Sequence, residues 1–172
     1  MFSFITRRDY SVMHRANNWA APRWVRIYVV GSTRGGDGWL WYAMGLAILL
    51  FGGETRFEAL AAAIVASALS ALLFMWLKRF TGRRRPCQIE PHCWATLLPP
   101  DRFSFPSGHT MMAFAVAVSL SLFYPTLTIG LLFCALSIAM SRILLGMHFL
   151  SDVVVGALIG TGLGYAGFLA LH

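Results

Sequence analysis

Long apolar runs, each near the length of a bilayer crossing and separated by short turns or arginine-rich segments, constrain this chain more than any other feature. A bilayer core demands about 20 consecutive apolar residues in a helix, because the backbone there must satisfy its own hydrogen bonds. Phe57 to Leu77 is the clearest run, rich in Ala and Leu and broken only by Glu58, Ser67 and Ser70. Leu127 to Met147 is a second, interrupted by Arg142. Val153 to Leu171 is a third, and its Gly156, Gly160 and Gly164 at four-residue spacing predict a close helix–helix approach. Thr110 to Phe123 is short alone and reaches adequate length when begun near Ser107. Trp39 to Phe51 would cover only about 20 Å as a helix, with Trp39, Trp41 and Tyr42 as an interfacial aromatic belt. The expected fold is therefore all-α: a multi-pass transmembrane helix bundle of five spans, with room for a sixth.

Residues 1–38 read as an N-terminal arm in front of a transmembrane domain at 39–172, the whole forming a single domain. The stretch from Asp9 to Val30 mixes Trp19, Trp24 and Tyr28 with Arg15, Arg23 and Arg26, which suits a helix lying in the membrane interface. Pro22 breaks it, and Gly35-Gly36-Asp37-Gly38 predicts a turn. Arg7-Arg8 has no apolar stretch behind it, so no cleavable targeting segment is expected.

Composition agrees. The chain is 58% hydrophobic and only 12% charged, against about a quarter charged in soluble domains. Its net charge of +7 sits in the first forty residues and around Lys78 to Arg102 rather than over a solvated face. That excludes nucleic acid as the natural partner and favours membrane lipids and a phosphorylated substrate. Cys134 lies in an apolar run and reads as a core residue. Cys87 and Cys93 would pair if their loop faces an oxidising compartment and are otherwise free thiols. With His92 they match no common zinc spacing, so neither a metal nor another cofactor is expected.

Counting spans places the N-terminal arm, the Lys78–Pro106 segment and the turn near His148 on one face. Gly52–Arg56 and Tyr124–Thr126 fall on the other. Three clusters with chemical potential share the first face. Lys78 and Arg85-Pro86 form K-x6-R-P, Pro106-Ser107-Gly108-His109 opens a helix, and Ser141-Arg142, His148 and Asp152 form S-R-x5-H-x3-D. Four residues apart on a helix, His148 and Asp152 share a face. The carboxylate would then take one ring proton and leave the other nitrogen as a nucleophile. Taken alone, such a pair is more often a packing histidine and a helix cap. Ser107 would cap its helix, and Gly108 would let the backbone approach a phosphate at the helix N-terminus. His109 would protonate a leaving oxygen there, although a histidine near a membrane-surface cap is common. Lys78, Arg85 and Arg142 would neutralise phosphoryl oxygens, while Arg79, Arg83 and Arg84 read as headgroup anchors. Arg142 interrupts an apolar run, which makes it a functional candidate by default. Gly146 would open the helix between Arg142 and His148, which do not share a face in a straight one.

All three clusters, in order and on one face, resemble the signature of the type-2 phosphatidic acid phosphatase superfamily, which includes lipid phosphate phosphatases and vanadium haloperoxidases. The resemblance spans Lys78 to Asp152. It implies a metal-independent phosphatase with His148 as nucleophile, Asp152 as its orienting partner and His109 as general acid. Lys78, Arg85, Ser107, Gly108 and Arg142 would bind the phosphate. The implied substrate is a lipid phosphate, first a polyprenyl diphosphate, then phosphatidylglycerophosphate, phosphatidic acid or a lipid A phosphate. Membrane members usually have six transmembrane helices, so the first is expected to be reduced or absent here. The setting implied is the inner cell membrane. Of fourteen Lys and Arg, all but Arg56 lie on the catalytic face, which would place that face in the cytoplasm. The cysteine pair and the resemblance tip the expectation outward. A vanadate-dependent haloperoxidase and a non-enzymatic scaffold or transporter are the rival readings, and the oligomeric state is left open.

Overall fold

The computed structural model describes residues 7–90 and 103–172. Among them regular structure is helical, with one isolated bridge between Arg84 and Phe103. The helices are α1 (Arg7–Asn17), α2 (Arg23–Arg34), α3 (Leu40–Phe51), α4 (Arg56–Thr81), α5 (Gly108–Phe123), α6 (Thr128–Leu144) and α7 (Leu150–Leu171). The expected all-α bundle is the fold observed.

Prolines and glycines punctuate it. Pro22 stands at the N-cap of α2 and ends any continuation from α1. Gly82 (φ 56°) and Gly146 (φ 64°) adopt the left-handed conformation just past α4 and α6, where a side chain would clash. The expected turn at residues 35–38 is not a turn. Gly35–Trp39 winds as a π-helical segment with one kink at Gly38 (φ 125°), joining α2 to α3. Three glycines let the chain bend there without reversing. The resulting rod runs antiparallel to α6. Ala21 and Val29 cluster with Leu145 and Met147, Gly36 abuts Ile138, and at the far end the Tyr124 hydroxyl donates to the Gly52 carbonyl. So α2 is the first half of a kinked rod rather than a separate interfacial helix.

Three helical stretches are by themselves long and apolar enough to cross a membrane: Arg56–Thr81, Pro125–Leu144 and Leu150–Leu171. The other two expected spans are shorter. Helix α3 has 12 residues and gains its length from α2, and α5 has 16. Helix α5 sits centrally, touching α4, α6 and α7, and buries small residues such as Ala113, Ala115 and Ala117. Large side chains such as Ile64, Ile129, Phe133 and Leu158 face outward instead. That inversion fits lipid as the surrounding solvent, where helices associate by close packing of small residues.

The glycine stripe of α7 does what its spacing predicts. A Cβ at Gly156 would lie 2.8 Å from the Ser107 carbonyl oxygen, and those at Gly160 and Gly164 would strike the carbonyls of Met111 and Ala115. The two backbones touch along three successive turns, which sets α5, and its first residues above all, against the start of α7.

Candidate active site

The connection from α6 to α7 brings the third cluster together. Past Leu144 the left-handed Gly146 folds the chain back, and the Met147 and His148 amides both donate to the Arg142 carbonyl at 3.1 Å. This glycine-terminated helix end places His148 beside Arg142, as expected of Gly146. The Cys87 amide donates to the Gly146 carbonyl at 3.0 Å, drawing Arg85 and Pro86 onto the same loop.

His148 is 3% exposed, and its ring has two distinct neighbours. Nδ1 lies 2.6 Å from the Ser104 carbonyl oxygen, an acceptor, so Nδ1 carries the proton. Arg85 Nη1 donates to Nε2 at 3.1 Å; a guanidinium only donates, so Nε2 presents its lone pair. Both contacts specify the same neutral tautomer. Burial pushes the ring's pKa down to about 4, with the Arg142 and Arg85 guanidiniums adding to it and Asp152 opposing. Arg85 also donates to the Met147 carbonyl at 2.8 Å, which fixes the guanidinium across the loop.

Asp152 departs from expectation. His148 precedes α7, so the two residues do not share a helix face. The carboxylate stands 3.8 Å from Nδ1, and the Ser104 carbonyl takes the ring proton instead. Asp152 Oδ2 accepts from the Phe149 amide at 2.8 Å, capping α7, and Oδ1 accepts from Arg83 at 2.5 Å.

Arg83 also departs. Read as a headgroup anchor, it is instead 7% exposed and bridges Asp152 to Asp9 of α1 at 2.8 Å. Its guanidinium lies over the Phe149 ring, 4.4 Å from the centroid. Asp9, 2% exposed, also accepts from the Ser151 amide and hydroxyl at 2.9 and 2.7 Å. Sequence reasoning missed this chain of alternating charges, as well as the Ser104 carbonyl. A carbonyl has no sequence signal. The only hint at Asp9 was an acidic residue in an arm otherwise rich in arginine.

The second cluster faces the third across a cavity of about 420 Å3. Lys78, Arg85, His109, Arg142 and His148 line its polar side, with Asp37 and Gly108, while Ala71, Phe74, Met75 and Met112 line the rest. The Lys78 ammonium sits 4.4 Å from the centre of the Phe74 ring, and Arg142 donates to Thr33 of α2. His109 Nε2 is 2.7 Å from Asp37 Oδ1. Asp37 was read only as a turn residue; its signal was an acid at the edge of an apolar run.

Ser107 and Asp152 lie outside the cavity lining. Ser107 occupies the N-cap position of α5 without the expected side-chain cap. Its hydroxyl bonds that of Thr110 at 2.9 Å, and its amide donates to the Asp152 carbonyl at 3.1 Å, locking the second cluster to the third. At Gly108 a Cβ would come within 2.9 Å of the Phe74 ring. That glycine is required by packing, whatever its use to a ligand. Arg79 and Arg84 make no part of the cavity lining. His92 and Cys93, with the expected Cys87–Cys93 pairing, lie outside the described residues.

A membrane helix bundle that gathers two histidines and three cations on one side of a cavity is equipped to hold and transfer a phosphoryl group, which is mainly an electrostatic task. The chain belongs to the PAP2 superfamily, whose profile matches residues 59–172. It is 29% identical over 146 residues to the lipid A 1-phosphatase of Rhizobium johnstonii, covering 73% of this chain and 59% of that protein. It is 35% identical over 134 residues to the decaprenylphosphoryl-5-phosphoribose phosphatase of Mycobacterium tuberculosis, covering 74% of this chain and 68% of the relative. Among solved structures, the crystal structure of Aquifex aeolicus LpxE superposes with a TM-score of 0.82 at 29% identity, covering 98% of this chain and 99% of the other. The chain thus spans about three fifths of the rhizobial relative's length and nearly all of the LpxE chain.

Proposed function

We propose that this protein is an integral membrane lipid phosphate phosphatase that works through a phosphohistidine on His148. One observation carries the reading: His148 keeps Nε2 unprotonated, its tautomer held by Ser104 and Arg85, at a cavity lined by Lys78, Arg85 and Arg142. The three cations hold the phosphoryl oxygens and offset the charge that builds as the group transfers. Nε2 attacks phosphorus, the P–O bond to the lipid breaks, and His109 gives a proton to the leaving oxygen. Water then attacks phosphorus, His109 takes its proton, the P–N bond breaks and inorganic phosphate departs. Asp152 acts behind His148, through the α7 cap and Arg83. Ser107 holds the two loops together, and Gly108 keeps the α5 mouth open to the phosphate.

The apolar part of the cavity wall suits the chain of a lipid. A polyprenyl diphosphate is the first substrate proposed, since Ala71, Phe74, Met75 and Met112 offer an apolar wall beside the cations. A phosphorylated glycolipid comes next, because relatives are named for lipid A and decaprenylphosphoryl phosphoribose. The setting proposed is the inner membrane with the site on the extracytoplasmic side.

The direct test is phosphate release by the purified protein from a panel of polyprenyl diphosphate, phosphatidylglycerophosphate, phosphatidic acid and lipid A, with EDTA present. Turnover should persist in EDTA, and His148→Ala should release no phosphate while keeping the wild-type melting transition. Residual turnover in a folded His148→Ala variant would remove the nucleophile.

A further inference from the structure

We propose that Asp37 is a positioning residue for His109, holding its ring as the proton donor to the leaving oxygen. The proposal rests on the phosphatase reading above and adds a residue to it. Asp37 lies at the kink between α2 and α3, beside Gly38 (φ 125°). Its Oδ1 is 2.7 Å from His109 Nε2, across 72 residues of sequence. The same segment passes close beside the ring: a Cβ at Gly36 would lie 3.4 Å from His109 Cδ2. Gly36 is buried, so the segment is held in place.

Electrostatics sharpens the point. Asp37 lines the same cavity as Lys78, Arg85 and Arg142, so its charge opposes the arrival of an anionic substrate. A carboxylate there weakens phosphate binding unless it acts on something else, and the group it meets is His109. In the first half-reaction the lipid oxygen leaves phosphorus as His148 Nε2 bonds to it, and His109 passes that oxygen the proton of Nδ1, the ring nitrogen not bonded to Asp37. In the second, His109 recovers a proton from the attacking water. Asp37 accepts a hydrogen bond throughout and exchanges no proton with the substrate. The carboxylate favours the charged imidazolium and orients it.

Leaving groups separate this role from a structural one. An alkyl lipid phosphate needs its departing oxygen protonated, whereas p-nitrophenyl phosphate does not. On the alkyl substrate, Asp37→Asn should lower kcat/KM, which reports the steps up to the phosphohistidine, on the order of tenfold to a hundredfold, within the usual reach of general acid catalysis. Loss of kcat/KM on the aryl substrate should be far smaller, while kcat, which includes the second half-reaction shared by both substrates, can fall on either. His109→Ala should show the same selectivity, and Asp37→Glu should restore part of the alkyl activity. Equal loss of kcat/KM on both substrates, or undiminished alkyl kcat/KM in Asp37→Asn, overturns the assignment. His148→Ala must silence both substrates. If it does not, the phosphatase reading itself fails and takes this inference with it; if it does while Asp37→Asn is silent, only the Asp37 role falls.

Discussion

His148 shows how far a residue's chemistry depends on its neighbours. The motif marks the imidazole, but two contacts from other segments decide which nitrogen is unprotonated: the Ser104 carbonyl and the Arg85 guanidinium. Lys78, Arg85, His109, Arg142 and His148 were all legible as site candidates, and all five line one cavity. Arg83 was not. In sequence it is one of three adjacent arginines, and nothing local marks it as the one that turns inward between Asp9 and Asp152. That burial yields a prediction. Arg83→Met keeps a side chain over Phe149 but removes the guanidinium between two buried carboxylates, which should cost about 3–5 kcal/mol of stability. Thermal unfolding in detergent should show a clear fall in Tm, with Arg83→Lys intermediate because it keeps charge but loses the fork. A wild-type Tm for Arg83→Met would mean that the ion pairs add nothing to the fold.

Elements add a second layer. The spacing of Gly156, Gly160 and Gly164 announced a close helix contact, but not which helix would fill it. The partner is α5, whose carbonyls at Ser107, Met111 and Ala115 occupy the space that side chains would need. Because α5 carries His109 at its start, displacement of α5 reaches the site. Gly160→Leu should therefore cost about 1–3 kcal/mol by overpacking and lower activity as well. Gly162, with no neighbour near its Cβ position, makes the control: Gly162→Ala should preserve both Tm and turnover. Equal behaviour of the two variants in a melting and phosphate-release assay would refute the stripe's role. The segment at 35–39 taught the opposite lesson. Gly-Gly-Asp-Gly has the local chemistry of a turn, yet it carries α2 on into α3 through a kink at Gly38, with Gly36 packed close to Ile138 and His109.

At the scale of the whole molecule, the ends of the bundle are chemically unequal. The site end holds the clustered cations, and the opposite end holds the Gly52–Tyr124 contact. With the site facing outward as proposed, a cysteine at Glu54 on the opposite turn should be shielded from an impermeant thiol reagent in intact cells, in a background without native cysteines. One at Arg15 of α1 should react. Both positions are exposed, and the reverse labelling pattern would turn the site to the cytoplasm. The helical membrane class, the main spans and the candidate histidines and cations could be read from the sequence. Apolar length and residue type act locally, so they can be read without a partner. Only in the folded bundle is Asp152 seen bonded to Arg83 while standing 3.8 Å from His148 Nδ1, with Asp9 joined to the same network and Asp37 against His109. Each of these depends on a charge being buried beside another charge or a ring from a distant segment, and burial is a property of the assembled bundle.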